Sequence, residues 1–250
     1  MSAIGLFAAT RWEVEAVRRA FSATETRAIG TVRCLLARGP HVDWWIIPTG
    51  VGLQRAATTA RLVLSKQRFA AVWSTGFACA LQTAQVGDVL MGTAVTLERI
   101  SSAQTVIPCF PPMVEWAQQA LKVQSLQIGP FVSVSHVLCR AEEKREIADR
   151  CGAIGLDMES AALGLAASEQ QIPFGILRTV SDLVDEDLPL DFNLFLRPSG
   201  WAKGVAACLA HPASFIGLNR LRHQSRKAGA QLTAVYRACA DLTSMDAMVC

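Results

Sequence analysis

Three carboxylates lie close together in the stretch "GLDMESAALGLAASEQQIPFGILRTVSDLVDED", where Asp157, Glu159 and Asp182 stand among small and apolar residues. The run 157–169 reads as a helix, which puts Glu159 in its first turn. There the exposed N–H groups and the positive end of the helix dipole keep a carboxylate ionised, and an ionised carboxylate suits the binding of hydroxyl groups. Asp182 follows the apolar strand "PFGILRTV", and ligands of open parallel sheets bind beyond the carboxyl ends of the strands. Two carboxylates can therefore face one crevice, although acids at helix starts and turns more often serve structure alone. Glu13 and Arg11 share the first helical region. On its own Glu13 reads as a solvated residue of that helix. Gly50 and Gly52 precede a helix and either support an anion at its N-terminus or simply turn the chain. His136 is a proton relay or a packed histidine.

The elements that must position these residues alternate. "AIGLFAA" (3–9) predicts a buried strand and "WEVEAVRRAF" (12–21) a helix with Val14, Val17 and Phe21 on one face. Strands are expected at 31–37, 42–48 and 70–74, with a helix at 53–66. A β-rich run follows at 86–100, then the break "PCFPP" (108–112), a helix, the strand 128–138 and a Glu/Lys/Arg helix at 141–150. Strands alternating with helices imply an α/β fold: three αβα layers around a central mixed, mostly parallel sheet. From Pro212 onward Phe215, Leu218, Leu221, Ala228, Leu232, Val235 and Cys239 recur at spacings of three and four, predicting a C-terminal helical extension. The expected organisation is a catalytic domain at 1–211 and this extension at 212–250.

Composition removes several function classes. Five of the 24 Lys and Arg residues and two of the 21 Asp and Glu residues fall at 211–250, so the first 210 residues are balanced and the positive excess belongs to the tail. No stripe of bases suits a nucleic acid. The eight cysteines show neither Cys-x-x-Cys pairs nor metal-finger spacing, which suggests reduced thiols of a cytoplasmic protein with no metal and no disulfide framework. No secretory signal and no run of 18 apolar residues is visible. A Gly-x-Ser-x-Gly elbow is also missing, so a serine hydrolase is not indicated.

"GLDMESAALG" followed by "PFGILRTVSDLVDE" resembles the paired signature of the nucleoside phosphorylase and nucleosidase superfamily, which includes the methylthioadenosine/S-adenosylhomocysteine nucleosidases. "IGLFAATRWEVEAV", "PTGVGLQRA", "STGFACAL" and "VGDVL" resemble further family segments in the same order, over most of the first 200 residues. The resemblance implies that Asp182, with Ser181 beside it, protonates the purine ring nitrogen as the glycosidic bond breaks. It assigns the ribose hydroxyls to Glu159, sugar packing to Met158 and the orientation of an attacking water to Glu13. Thr75, Gly76 and Phe77 of the Thr-Gly turn join the substrate site. Arg11 falls where phosphorylases of the superfamily bind phosphate, so water and phosphate both remain open as nucleophile. Leu138 and Cys139 replace the family's base-stacking aromatic. No cofactor is implied, and a homo-oligomer is.

The tail "FLRPSGWAKGVAACLAHPASFIGLNRLRHQSRKAGAQL" resembles the extension of the hopanoid-biosynthesis-associated phosphorylases, which implies an adenine nucleoside that is lipid-linked, adenosylhopane. A basic amphipathic helix then offers peripheral contact with the inner membrane, or else docks on the protein's own core. Two other functions stay open: a soluble methylthioadenosine or futalosine-type nucleosidase, and a catalytically silent nucleoside-binding protein on the same fold.

Overall fold

The computed structural model describes residues 2–98, 105–121, 125–193 and 213–240. Strand β1 (Ser2–Ala8) is apolar on both faces, with Ile4, Leu6 and Phe7 buried, and accordingly it lies inside the sheet. It runs parallel to β4 (Val42–Pro48) on one side and β5 (Ala71–Ala80) on the other. An antiparallel meander of β4, β3 (Val32–Arg38) and β2 (Glu25–Ile29) forms that edge. Beyond β5 the sheet curls back on itself. β5 pairs in parallel with β10 (Phe174–Leu183), which pairs antiparallel with β6 (Val89–Leu97). β6 runs parallel to β8 (Leu126–Ser133) and β8 to β9 (Gly155–Asp157), and β9 returns antiparallel to the far end of β5. The short β7 (Val106–Pro108) joins β6.

Helices cover both faces, as the alternation implied. On one face α1 (Arg11–Arg18), α3 (Pro111–Ala120) and α6 (Ala213–Ala240) bury Val17, Met113 and Leu232 in a core with Trp44 and Trp73. On the other, α2 (Leu53–Lys66) and α5 (Ser160–Glu169) bury Val63, Leu64, Leu163 and Ala166 against Phe7 and Phe174. α4 (Ala141–Cys151) seals a smaller cluster around Leu138 and Leu156. The prolines at 111 and 112 do not keep a helix out. They open α3, where the missing N–H groups would have had no partner anyway.

Several expected boundaries move: the strand expected at 70–74 runs on to Ala80, and the one expected at 128–138 stops at Ser133, leaving His136 and Leu138 beyond it. β10 continues through Ser181 and Asp182 to Leu183, so these residues end the strand rather than follow it, and a register shift between Val180 and Asp182 sets Asp182 opposite Cys79. α5 begins at Ser160, so Glu159 is its N-cap residue rather than part of its first turn. The C-terminal half of α6 docks on the core: Ala228, Leu232, Val235, Tyr236 and Cys239 are buried, and Thr233 Oγ1 donates to the Ala16 carbonyl at 2.7 Å. Its preceding half exposes Arg220, Arg222, Arg226 and Lys227. The part of the tail motif at 195–212 lies outside the described residues. Among those described, no helix is long and apolar enough to cross a membrane.

Candidate active site

The carboxyl ends of β5 and β10, the end of β9, and the starts of α1 and α5 meet around a cavity of about 210 Å³. Glu13, Phe77, Leu138, Met158, Glu159, Ser181 and Asp182 all line it, together with His136, Asp157, Cys79 and Lys144. Thr75 and Gly76 lie behind the wall, and Cys139 and Arg11 lie outside it. Arg11 is exposed, with its guanidinium stacked 4.7 Å from the Trp12 ring.

Glu13 is buried at the start of α1, where Thr10 and Glu13 form a capping box. Its Oε2 accepts the Thr10 N–H at 2.6 Å and its Oε1 the Phe77 N–H at 2.7 Å. Gly76 makes room for that carboxylate. It has φ +134, and a Cβ there would stand 2.1 Å from Glu13 Oε1. Thr75 and Gly76 lie inside β5 rather than in the expected turn, and shape the site through the strand's backbone.

Glu159 also finds its donor outside its own helix. It accepts the Gly52 N–H at 2.8 Å, so the N-terminus of α2 receives an internal anion, the role open to Gly50 and Gly52. The N-terminus of α5 is capped instead by Asp157, whose Oδ1 accepts the N–H groups of Glu159 and Ser160, each at 3.1 Å. Ser133 Oγ donates to the same oxygen at 2.6 Å, and Ser160 Oγ reaches Oδ2. Asp157 is thereby committed to holding the β9–α5 junction.

Arg178 joins these three acids. Sequence reading passed over it inside the apolar strand, yet it is fully buried, with Nε 2.9 Å from Asp157, Nη2 3.5 Å from Glu159 and Nη1 4.0 Å from Glu13. Nη1 also donates to the Phe77 carbonyl at 2.8 Å and Nη2 to Ser74 Oγ at 2.9 Å. One cation thus faces three carboxylates. Burial pushes Glu159 up to about 7; Arg178 opposes that rise, while the charges of Asp157 and Glu13 add to it.

Asp182 lines the same cavity, with Ser181 Oγ 3.0 Å from its Oδ1 and Lys144 Nζ 2.9 Å from its Oδ2. Lys144 was the second residue missed. It comes from α4, is 1% exposed, and shares its buried face with Ala141 and Ile147. Among the described residues no group of His, Cys, Asp and Glu is arranged to hold a metal ion.

The family model of the Phosphorylase superfamily matches residues 3–203. A 5'-methylthioadenosine/S-adenosylhomocysteine nucleosidase of Staphylococcus epidermidis is 24% identical over 209 residues, covering 77% of this chain and 92% of that protein. The S-adenosylhomocysteine nucleosidase of Streptococcus pyogenes superposes with a TM-score of 0.74 at 16% identity, over 97% of this chain and 98% of that one. A futalosine hydrolase of Helicobacter pylori does so with 0.69 at 18% identity, over 84% and 99%. With a model matched across four-fifths of its length and this fold, the chain belongs to the Phosphorylase superfamily.

Proposed function

We propose that the protein is an enzyme cleaving the N-glycosidic bond of an adenine nucleoside with release of adenine. The observation that carries this reading is that Glu13, Glu159 and Asp182, from three different elements, line one cavity. Asp182 gives a proton to the purine ring nitrogen as the bond to the sugar breaks and its electron pair passes to the base. A general acid contributes about 10²–10⁴-fold to such a step. Glu159 accepts hydrogen bonds from the ribose hydroxyls, which strengthen as positive charge grows on the sugar. Met158 packs against the sugar, and Leu138 and Phe77 supply apolar wall. Water is the nucleophile favoured. It adds hydroxide to the anomeric carbon and passes its other proton to Glu13, and that proton returns through solvent to Asp182. A cavity edged by the four carboxylates Glu13, Asp157, Glu159 and Asp182 repels a phosphate dianion, and Arg11 stands outside it.

For the substrate we favour adenosylhopane, on the strength of the exposed bases Arg220, Arg222, Arg226 and Lys227 on α6. Each would contribute roughly 1 kcal/mol near an anionic lipid surface, a salt-sensitive peripheral contact. Methylthioadenosine is the second reading, favoured by the names of the relatives. Chromatography of the products from both substrates, with and without phosphate, tests the proposal. Free adenine with an unphosphorylated sugar is expected at equal rates in either buffer. A sugar phosphate would replace water by phosphate, and no adenine from any adenine nucleoside would remove the reading.

A further inference from the structure

Lys144 has a geometry that a surface lysine of a charged helix does not need. Its ammonium is buried and spends all three donors on fixed acceptors: Asp182 Oδ2 at 2.9 Å, the Leu183 carbonyl at 3.2 Å and the Glu186 carbonyl at 3.0 Å. Burial works against charging it, but Asp182, Cys79 and Glu186 together raise its pKa above the ordinary value, so it is a permanent cation. With Oδ2 engaged, the Asp182 oxygen left to carry a proton is Oδ1. Ser181 Oγ is 3.0 Å from Oδ1 and 3.5 Å from the Ala78 carbonyl, so its single hydrogen can serve either. Lys144 and Ser181 thus distinguish the two oxygens of one carboxyl group.

We propose that Lys144 is a positioning residue which fixes Asp182 with Oδ1 as the proton-carrying oxygen and stabilises the carboxylate left when the proton has passed to the base. The inference rests on the reading of Asp182 as the acid. An ammonium at hydrogen-bond distance forms a charge-assisted bond to the carboxylate that proton transfer leaves behind. The other titratable groups near Asp182 are Cys79 of β5, whose thiol its charge helps to push up, and Glu186 of the following turn. His136, Glu13, Asp157 and Glu159 stand elsewhere around the cavity.

The same ammonium ties down the turn after β10, so the test must separate positioning from support. Lys144→Met and Lys144→Gln are compared with the wild-type chain on an adenine nucleoside and on nitrophenyl riboside, whose leaving group departs as a stable anion without a proton. In the pH-independent plateau, adenine release is expected to fall about tenfold or more while nitrophenol release stays within about twofold, a gap within the range of a general acid's effect. The Gln variant carries the test if the Met variant does not fold. Equal losses on both substrates would overturn the inference. Absence of adenine release by the wild-type protein would instead overturn the functional reading beneath it.

Discussion

In one cluster Arg178 meets Asp157, Glu159 and Glu13, all buried; in another Lys144, buried itself, meets a single carboxylate, Asp182, whose side chain is 17% exposed. The first cluster holds more negative than positive charge in a water-poor setting, and its carboxylates stay put because backbone N–H groups from Thr10, Phe77 and Gly52 share the load. The second is a balanced pair whose acid alone reaches solvent. On the proposed function this division has a purpose: surplus negative charge suits the place where a sugar becomes cationic, and a carboxyl group with a nearby ammonium suits the place where a proton must leave.

Removing the two cations in turn should separate the two clusters most clearly. Arg178→Met leaves three buried carboxylates without their partner, and loss of one member of a buried ionic cluster typically costs about 3–5 kcal/mol. Denaturant unfolding should register that loss, with a smaller one for Lys144→Met. Equal losses would mean that the two clusters are alike energetically. Glu159→Gln should come next: a weaker binder with slower turnover, and one that discriminates less against a 2′-deoxy substrate than the wild type does. An unchanged discrimination would take the hydroxyls away from Glu159.

A pH series sharpens the same contrast. Burial raises Glu159 to about 7, so it is neutral below that pH and ionised above it. KM for the nucleoside should therefore rise as pH falls below about 7, and Glu159→Gln should erase that dependence. Stability has the opposite sense. The folded chain keeps a proton that the unfolded chain releases near 4.5, so stability contributed by this group is complete below about 4.5 and is lost as pH climbs towards 7. The smallest effect is expected from Arg11→Ala, an exposed residue stacked on Trp12; adenine release should stay within about twofold, as for surface changes away from a site. A new phosphate dependence in that variant would reopen phosphorolysis.

Much of this site was legible because its residues lie in motifs with fixed spacing: Glu13, Met158, Glu159, Ser181 and Asp182 all line the cavity, although Glu159 caps its helix and Asp182 ends its strand rather than following it. The two cations were not. Arg178 interrupts the apolar run "PFGILRTV", and a base inside a central strand had to have buried partners, a signal that was present. Lys144 is one of many charges in "AEEKREIADR", but its spacing of three from Ala141 and from Ile147 marks the inward face of α4. β9 is only three residues long, and β2 exposes four of its five residues, so neither shows a pattern above its surroundings. For α6 the periodicity was read correctly, but an apolar stripe at spacings of three and four is the same whether it meets a membrane or a protein core. The buried contacts of Leu232, Val235 and Tyr236 belong to the core.

If Glu159 and Asp182 act on the sugar and the base of one adenine nucleoside held in this cavity, Asp182→Asn should show it in single-turnover assays of adenine release, run beside equilibrium binding of the same nucleoside. The amide keeps the shape of the carboxyl group but has no acidic proton to give. Binding is expected to stay within about threefold of wild type while adenine release falls by about 10²-fold or more, the size of a general acid's contribution. A variant that retains more than about a tenth of wild-type turnover would contradict the account.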